Sequence, residues 1–579
     1  MIFGALNIAA SSLKAQQKAI DVVSHNMANV NTPGYSRQTA ELGTLSPEQL
    51  GGLDFGRGVQ VGNVSRSVDT IVNQSMLKNS PQQAYWKELK SGLTSLEGTF
   101  GSLQSTGLSA AMDDFFLAAQ QMANAPADVA LKINMRTKSS TLTTQLSSMS
   151  KQLTAVQNSA DAKINQNLQS ANTLLTQIAS LNVQIRKHEG SSQGVIGAAN
   201  DLRDQRDQAI RDLSALMPIQ DVNTSDNGVL LQTMGGDLLV QDGTAQQLTR
   251  GAVAANSNFQ SIVISGSNVP VSGLNQGGLI GGSIALRDDR VAAYIKDLNS
   301  IAVNLGFTMN QINASGVGSS RVSQVQSGLG VANAGLSVSD VAQNNPFAAQ
   351  IQNGTFTMHV YDAAGVPLTP ASKGTITVTA GVSTMASIAA DITANVPGVT
   401  ASVDAAGKLV MDAGANTVGF SNDSSNFLAA YQINSLFYGN DAASLRVSDA
   451  VQNDAGLIST GQIDSLTSVI SVADNSAALL LVDAQNAAVS IDGTAAASLS
   501  TRTSLLSTQY GNDVALANQQ QTFFQAEADS LSQQRQAFSG VNTDDELVSM
   551  IKFQRAYQAS AKVIQTNNTM LDSLIGLIR

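Results

Sequence analysis

Few residues of the types that most often carry chemistry are present in this chain of 579 residues. It contains no cysteine and three histidines, His25, His188 and His359. The lack of cysteine excludes disulfides, thiolate nucleophiles and cysteine-ligated zinc or iron–sulfur sites. The histidines lie far apart in the sequence and follow no metal-ligand spacing. We therefore predict no catalytic residue, no metal ligand and no cofactor.

Short motifs that look catalytic have simpler explanations. The tripeptide at 54–56, Asp-Phe-Gly, matches a metal-binding element of kinases, but no phosphate-binding or catalytic loop accompanies it. Acidic pairs at 113–114 and 544–545 lie near predicted helix starts, where carboxylates interact favourably with the helix dipole. His25 lies next to an apolar helical stripe and is expected to be a partly buried structural residue. The sequence therefore gives no enzyme hypothesis.

Charge and hydropathy exclude two kinds of partner. The chain has 32 basic and 43 acidic residues, a net charge of −11, whereas nucleic-acid binding needs a dense Lys/Arg face. Its most apolar cluster, 477–482, is far shorter than the roughly 20 residues of a membrane-spanning helix. The apolar first ten residues lack a charged leader and a convincing cleavage site. We expect no nucleic-acid partner, no membrane span and no cleavable signal peptide.

The surface is expected to be polar but weakly charged. Charged residues make up 13% of the chain, compared with about a quarter in typical proteins. Apolar residues make up 43%, which is enough for several buried cores. A surface built from Ser, Thr, Asn and Gln can meet copies of itself without like-charge repulsion.

Both ends of the chain carry apolar stripes with alternating spacings of three and four. Such spacing is typical of helices that pack lengthwise against other helices. Each stripe is interrupted by few polar residues, namely Gln16 near the start and Gln554 and Asn568 near the end. The first stripe comprises Ile2, Leu6, Ala9, Leu13, Ile20, Val23, Met27 and Val30. The second comprises Leu547, Met550, Tyr557, Ala561, Ile564, Leu571, Ile575 and Ile578.

Local signals predict where several of these helices begin and end. Thr32 precedes a proline, and Pro33-Gly34 suits the central positions of a type II turn, so 29–37 should form a tight corner after the first helix. Pro81 is expected to open a new helical segment. Thr543 and Glu546 are expected to form a capping box for the last helix.

The order of helical and β patterns predicts a mainly α chain with β insertions. We expect an elongated, nested, multidomain chain with terminal coiled-coil helices, a long helical bundle and a β-rich outer domain. The segment 200–207, NDLRDQRD, should be a solvated helix start with internal ion pairs. The predicted parts are 1–65 and 543–579 (inner coiled coil), 66–319 and 465–542 (helical bundle, with a β section at about 218–285), and 320–464 (β-rich outer insert).

The two ends resemble one protein family. Residues 24–38, SHNMANVNTPGYSRQ, look like the N-terminal signature of bacterial flagellar rod, hook and hook-associated proteins. Residues 539–542 and 550–566 look like the C-terminal signature. Tyr35, where hook and rod proteins usually have Phe, and the helix opening at 200–207 point to the hook-associated branch. The resemblance is poor over residues 320–450.

The resemblance implies a structural role at the junction between hook and filament. Its implied partners are its own copies in a ring, hook protein below, a second junction protein and filament above, and an export chaperone. The implied location is outside the cell, after unfolded passage through the flagellum-specific, type III export apparatus. That route would explain the missing signal peptide.

The resemblance also assigns structural roles to the two stripes and the corner. The polar residues Gln16, Gln554 and Asn568 are expected to fix the register of packing. The first stripe is expected to pack on the second, within or between subunits. The subunit-assembly residues so predicted are Leu6, Leu13, Ile20, Val23, Met27, Ile551, Tyr557, Ile564, Leu571 and Ile575. The family-motif residues of the corner are Asn29, Asn31, Thr32, Pro33, Gly34 and Tyr35.

Two alternatives remain open on sequence grounds. The chain could be another axial flagellar protein, of the hook or the distal rod. It could also be a surface adhesin that acts through the insert at 320–450, in which case exposed aromatic residues are expected there. Eight aromatic residues are available, namely Phe347, Phe356, Tyr361, Phe420, Phe427, Tyr431, Phe437 and Tyr438.

Overall fold

A computed structural model describes residues 2–50, 53–101, 107–191, 199–223, 228–253, 259–368 and 372–577. Ile578 of the predicted second stripe lies outside these ranges. The helices are α1 Ile2–Ala28, α2 Thr70–Ser95, α3 Glu97–Gly101, α4 Leu108–Asn124, α5 Val129–Ser191, α6 Asn200–Leu216, α7 Gly278–Ile284, α8 Ala292–Ala314, α9 Met385–Asn395, α10 Phe427–Ala430, α11 Asp449–Asn453, α12 Ser476–Asp483, α13 Leu499–Ser539 and α14 Thr543–Leu577.

The described strands form small antiparallel sheets. They pair as β1-β4, β2-β3, β5-β6-β7-β8, β10-β9, β11-β15-β14, β13-β12-β16 and β17-β18. Their bounds are β1 Gln38–Thr44, β2 Glu48–Leu50, β3 Leu53–Phe55, β4 Val59–Arg66, β5 Ile219–Asn223, β6 Val229–Thr233, β7 Leu238–Gln241, β8 Thr244–Ala245, β9 Leu248–Val253, β10 Gln260–Ile264, β11 Gln324–Gln326, β12 Gly354–Tyr361, β13 Lys373–Val378, β14 Thr400–Val403, β15 Leu409–Asp412, β16 Thr417–Ser421, β17 Phe437–Tyr438 and β18 Arg446–Val447.

The predicted fold class is confirmed, since 56% of the chain is helical and 16% is strand. The chain divides into two compact units. The first unit comprises Met1–Gly92, Ser159–Arg287 and Ala515–Arg579, and the second comprises Leu93–Asn158 and Asp288–Val514. Both units are therefore built from segments far apart in the sequence. The five-part division predicted from sequence stays a prediction.

The core of the first unit joins helices to the β5–β10 region. Apolar residues of α5, such as Ile164, Leu175 and Ile178, pack with Leu213 of α6 and Leu231 of β6. In α5 they recur every three or four residues, which places them on one face of the helix. These contacts fix α6 in the unit, and α6 forms part of the site described below.

The core of the second unit lies around the β13-β12-β16 and β11-β15-β14 sheets, with α8 and α9 packed on it. Seven of the eight aromatic residues of the predicted insert are buried, and Tyr438 is half-buried. The described part of the insert therefore does not display the exposed aromatic residues that an adhesin was expected to have.

The prediction that Pro81 opens a new helix is wrong. Helix α2 continues through Pro81, which is buried in its interior. A side chain at Gly277 would come within 2.9 Å of the proline Cβ atom, so the missing side chain leaves room for the ring. A proline inside a helix costs about 3 kcal/mol when nothing compensates for it. Because of this cost, the sequence Ser80-Pro81 indicates the start of a helix when the contact with Gly277 is not known.

The second unit buries an uncharged histidine on β12. His359 is fully buried, and its Nδ1 and Nε2 atoms lie 2.9 Å and 2.8 Å from the hydroxyl oxygens of Ser468 and Ser421. Burial, with a contribution from the Lys373 cation, lowers the pKa of His359 from 6.5 to about 4. The imidazole is therefore neutral in the folded unit at physiological pH.

Acid should destabilise the second unit through His359. In the unfolded chain the imidazole gains a proton below its ordinary pKa of 6.5, but in the folded unit it does so only near pH 4. The contribution of the neutral imidazole to the free energy of unfolding is therefore fully present well above pH 6.5. It falls by about 3 kcal/mol as the pH drops to 4. Amide hydrogen exchange of β12, corrected for its intrinsic pH dependence, should show this loss.

The prediction is tested with the variant His359→Gln, and His188→Gln is its control. Glutamine can still hydrogen-bond the two serines but does not titrate, so His359→Gln should remove most of the pH dependence of β12 protection. His188 is exposed near the end of α5, and its replacement should leave that dependence intact. Equal pH dependence in wild type and His359→Gln would contradict the assignment.

Candidate assembly site

The two ends of the chain pack against each other as antiparallel helices. The Ser12 hydroxyl of α1 lies 2.8 Å from the Ser560 hydroxyl of α14, and Asn26 Nδ2 donates to Glu546 Oε2 at 3.1 Å. Between these contacts each helix advances by fourteen residues, in opposite directions along the sequence, or about 21 Å. The first and last described helices therefore form one helical pair inside a single chain.

The contact face of this pair is made largely of small residues. On α1 the buried residues include Ala9, Ala15, Ala19 and Val23. On α14 the least exposed residues recur every three or four positions, as in a helical seam. They are Glu546, Ser549, Met550, Phe553, Ala556, Ser560, Ile564, Asn567 and Leu571. Alanine and serine allow the two backbones to approach closely.

The structure places the predicted assembly residues in different environments. Val23 is buried, and Leu6, Leu13, Ile20, Met27, Ile564 and Leu571 are half-buried. Ile551, Tyr557 and Ile575 are exposed, by 50%, 39% and 61%. Seven of the ten predicted assembly residues are thus at least partly covered by their own chain, whereas the other three face solvent in the single chain. Their predicted role in assembly stays a prediction.

The predicted polar positions also differ in placement. Gln16 is half-buried, and its Oε1 atom is inaccessible and has no hydrogen-bond partner among the described residues. Gln554 and Asn568 are exposed, whereas Asn567, next to Asn568, is buried. No observation tests whether Gln16, Gln554 or Asn568 fixes a register.

The corner after α1 has the geometry predicted from its sequence. Helix α1 ends at Ala28, Tyr35 N–H donates to Thr32 O at 3.2 Å, and Gly34 has φ +84°. That φ value lies in the left-handed region, which favours glycine at this turn position. The side chain of Asn29 closes the helix end by donating to His25 O. Asn31, Thr32 and Pro33 are exposed.

Asn26 is the centre of the site, and its side chain is fully hydrogen-bonded. It is 1% exposed. Its Nδ2 group donates to Gln38 O at 2.8 Å and to Glu546 Oε2. Its Oδ1 atom accepts from Gln38 N–H at 2.9 Å and from the Tyr35 hydroxyl at 2.8 Å. One amide thereby joins α1, the corner, the first residue of β1 and α14.

Tyr35 is held as a hydrogen-bond donor. Burial raises its pKa well above the ordinary value, and the carboxylates of Asp201, Asp204 and Glu546 raise it further. The protonated hydroxyl donates to Asn26 Oδ1, and it also lies 3.1 Å from His25 Nδ1. His25 is half-buried, as predicted for a structural histidine.

Glu546 is a buried carboxylate with two partners. It is 1% exposed, and its Oε1 atom accepts from Arg37 Nε at 2.7 Å while Oε2 accepts from Asn26. The predicted capping box is therefore wrong. Asn542 caps α14 instead, because its Oδ1 atom accepts from Asp544 N–H at 3.0 Å. Glu546 faces α1 and the corner, and this tertiary contact takes the carboxylate away from its own helix end.

Helix α6 holds the outer side of the corner. Asp204 Oδ2 accepts from Ser36 N–H at 2.9 Å, and its Oδ1 atom accepts from Arg66 Nη1 at 2.7 Å. Arg66 also contacts Asp207 at 3.0 Å. Burial raises the pKa of the Asp204 carboxyl above its ordinary value, and the Arg66 cation and Ser36 N–H oppose that rise.

The prediction of a solvated, self-paired start for α6 is therefore wrong. Asp204 and Arg206 are both 6% exposed, and their partners come from other elements. Arg206 donates to Asn182 Oδ1 of α5, and Arg203 pairs with Glu189, also of α5. The mixed charges of this helix anchor it to α5 and to the corner. Sequence analysis missed Asn26, Glu546 and Asp204 as site residues because their partners are distant in sequence.

A cleft of about 300 Å³ opens between the corner and α6. Asp201 lies on its wall, accepts from Gln38 Nε2 at 2.8 Å and lies 3.5 Å from His25 Nε2. The site as a whole is a network of donors and acceptors that holds backbone segments in place. The part of the chain that the structure describes contains no cluster of three or more potential metal-ligating His, Cys, Asp or Glu residues.

Comparison with known proteins assigns the same segments to flagellar families. A model of the flagellar hook-associated protein FlgK helical domain matches residues 93–324. Models of the flagella basal body rod protein and of the flagellar basal body rod FlgEFG protein C-terminal region match 6–35 and 532–577. A model of the flagellin hook IN motif matches 355–415. The last match corrects the expectation that family resemblance is poor over 320–450.

Three relatives that align over nearly their full length are each named flagellar hook-associated protein 1. The chain is 27% identical to flagellar hook-associated protein 1 of Salmonella typhimurium and 26% identical to that of Escherichia coli, with 99% of each chain covered. It is 24% identical to the Bacillus subtilis protein, over 99% of this chain and 98% of the relative. All three alignments include both terminal helices and the corner.

A solved structure of the flagellar hook junction protein FlgK from Burkholderia pseudomallei is also similar, at 18% identity. Its TM-score is 0.49, with 81% of this chain and all of that chain covered. Among the helices described, none is both long and apolar enough to span a membrane. On the evidence of its full-length relatives and the matched family models, the chain is similar along its whole length to flagellar hook-associated protein 1 and is a structural protein of the bacterial flagellum.

Proposed function

We propose that this chain joins hook to filament as a short ring of its own copies, outside the cell, and that its role is mechanical rather than catalytic. The partners in this proposal are hook protein below and a second junction protein and filament above. An export chaperone is the proposed partner before unfolded passage through the type III export apparatus. These partners are those that the family resemblance implies.

The observation that carries the proposal is the apolar surface that α14 leaves uncovered. One side of α14 packs on α1, yet Leu547, Val548 and Ile551 are 44–67% exposed near its start. Met570, Leu574 and Ile575 are 44–61% exposed near its end. Large apolar residues exposed in this number along one helix are typical of a surface that meets other proteins. Further helices of neighbouring copies would cover them.

The network around Asn26 supports the proposal because it makes both chain ends one mechanical element. A load on either terminal helix reaches α6 through Glu546, Asn26, the corner and Asp204. The alternative of a hook or distal-rod protein has less support, because the relatives aligned over their full length are hook-associated proteins. The adhesin alternative has less support, because the described residues of 320–450 include no exposed aromatic side chain.

Binding to isolated hooks tests the proposed function directly. Purified chain added to hooks that lack junction proteins should form a cap visible by electron microscopy. After addition of the second junction protein and filament subunits, filament should grow from these hooks. Failure to bind hooks under conditions where the Escherichia coli relative binds its own hooks would contradict the proposal.

A charge among the exposed apolar residues of α14 should prevent assembly without unfolding the chain. Ile551→Asp and Ile575→Asp place a carboxylate on residues that are exposed in the single chain, so the free energy of unfolding should change by less than about 1 kcal/mol. Hook binding and motility should be lost, because the assembled ring would bury that charge. Val382→Asp, at a residue 70% exposed in the second unit, is the control and should retain motility. Normal motility of both α14 variants would count against the proposed role.

Removal of the buried carboxylate should uncouple α14 from the corner. Glu546→Ala leaves Arg37 and one Asn26 N–H without their partner and should cost about 3 kcal/mol. Amide hydrogen exchange should then accelerate in the first turns of α14 and in residues 35–38. Asp545→Ala removes an exposed carboxylate from the same helical turn and should cost less than about 1 kcal/mol. Equal exchange rates in the two variants would refute the coupling.

A further inference from the structure

We propose that the cationic face of α14 in one copy binds the cleft between the corner and α6 of a second copy. The inference rests on the proposed function, since it names a contact through which copies of this chain meet. Its starting point is an unpartnered helix face. From Leu547 to Leu571, α14 contains Lys552, Arg555 and Lys562 and no acidic residue.

The three cations have no carboxylate partner among the residues that the structure describes. All three are exposed, and among the described residues no Asp or Glu oxygen lies within 4.0 Å of them. The one polar contact recorded for them is from Lys562 Nζ to Gln565 Oε1 at 3.3 Å. At 3.6 residues per turn, Arg555 and Lys562 point roughly 150° away from Ser560, which faces α1. Lys552 lies about 80° from Ser560, so Arg555 and Lys562 are turned away from the α1 contact and Lys552 lies at its flank.

The chain's own surface offers a receptor of opposite charge. The cleft of about 300 Å³ is lined by the carboxylates of Asp201, Asp204 and Asp212 and by amides that include Gln205 and Gln208. No Lys or Arg is among the described residues that line it. Arg66 neutralises Asp204, but the Asp201 side chain is 54% exposed and Asp212 is exposed. Asp212 Oδ1 accepts from Gln208 Nε2 at 2.8 Å, and Gln208 Oε1 accepts from Arg211 Nη2 at 2.8 Å. The two exposed carboxylates and the exposed Gln205 side chain thus remain accessible.

The spacings of the two surfaces match. Lys552 and Lys562 are ten residues apart on α14, or about 15 Å along the helix. Asp201 and Asp212 are eleven residues apart on one face of α6, or about 16 Å. Lysines at both ends of the cationic face can therefore pair with the two carboxylates at once. Arg555 then lies over the middle of α6, where the exposed Gln205 side chain offers an amide oxygen.

The symmetry of such a contact suits an assembly of copies. It joins two different surfaces of the same chain, so it is heterologous, and contacts of this type generate rings or helical stacks rather than closed pairs. The chain as a whole is acidic, with a net charge of −11, so a cationic helix is also steered toward the surface of another copy. Both properties favour a second copy over an unrelated partner.

Charge reversal tests the contact with the full-length chain. Half-saturating concentrations for ring formation on isolated hooks are measured for Lys552→Glu, Lys562→Glu and Asp212→Lys. Each reversal should raise that concentration about tenfold, because an attraction becomes a repulsion. Lys78→Glu, at an exposed lysine of α2 with no recorded ion pair, is the matched control and should change it less than about twofold.

Combining the reversals identifies the pairs. Asp212→Lys is joined with Lys552→Glu in one chain and with Lys562→Glu in another. One of these double variants should recover ring formation close to that of wild type, because the swapped charges attract again. Recovery in neither double variant, or unchanged binding of the single variants, would overturn the proposed contact.

Salt dependence gives a second test that needs no substitution. Raising NaCl from about 0.05 M to about 0.5 M should weaken ring formation by wild type, because the Debye length shortens. The triple variant K552E/R555E/K562E should lose this dependence. Binding that strengthens with salt in wild type would overturn the inference. If Ile551→Asp blocks ring formation and the charge variants do not, the inference fails while the proposed function stands.

Discussion

The structure of the first unit depends on keeping one buried carboxylate satisfied. Glu546 is almost completely removed from water, and a buried charge without partners would destabilise the fold by several kcal/mol. Its two oxygens are paired with Arg37 and Asn26, one from the corner and the other from α1. Because Asn26 lies in the last turn of α1 and Arg37 lies in the corner that follows, Glu546 fixes where α14 meets α1.

This polar contact supplies what the helix face cannot. Ala15 and Ala19 of α1 present a smooth surface, along which a second helix could pack in more than one register. A buried polar group penalises every register that leaves it unpaired. The hydrogen bonds of Asn26 and Glu546 therefore select one alignment, while the small side chains let the backbones come close. Specificity and proximity in this helix pair come from different residues.

Sequence patterns predict those parts of the fold that depend on neighbouring residues. Heptad spacing predicts α1 and α14, and the Thr-Pro-Gly sequence predicts the corner with its left-handed Gly34. The partners of Asp204 and Glu546 could not be predicted, because they lie 168 and 520 residues away and depend on burial. Glu546 also had a plausible local role as a capping residue. Its tertiary contacts offer stronger, charge-assisted hydrogen bonds than a helix end exposed to water.

The position of Glu546 in the sequence makes the corner sensitive to chain completion. Asn26 and Arg37 are synthesised well before the carboxylate that they bind, which belongs to α14, 520 residues beyond Asn26 and 509 beyond Arg37. A chain that ends before Thr543 would leave both groups without this partner, and Gln38 and Tyr35 would have only an incompletely bonded Asn26 to bind. During synthesis the corner therefore lacks this contact until Glu546 has emerged, although Asp204 and Asn26 can already hold Ser36 and Gln38. A truncated product without Glu546 would have a less stable corner as well as a missing helix.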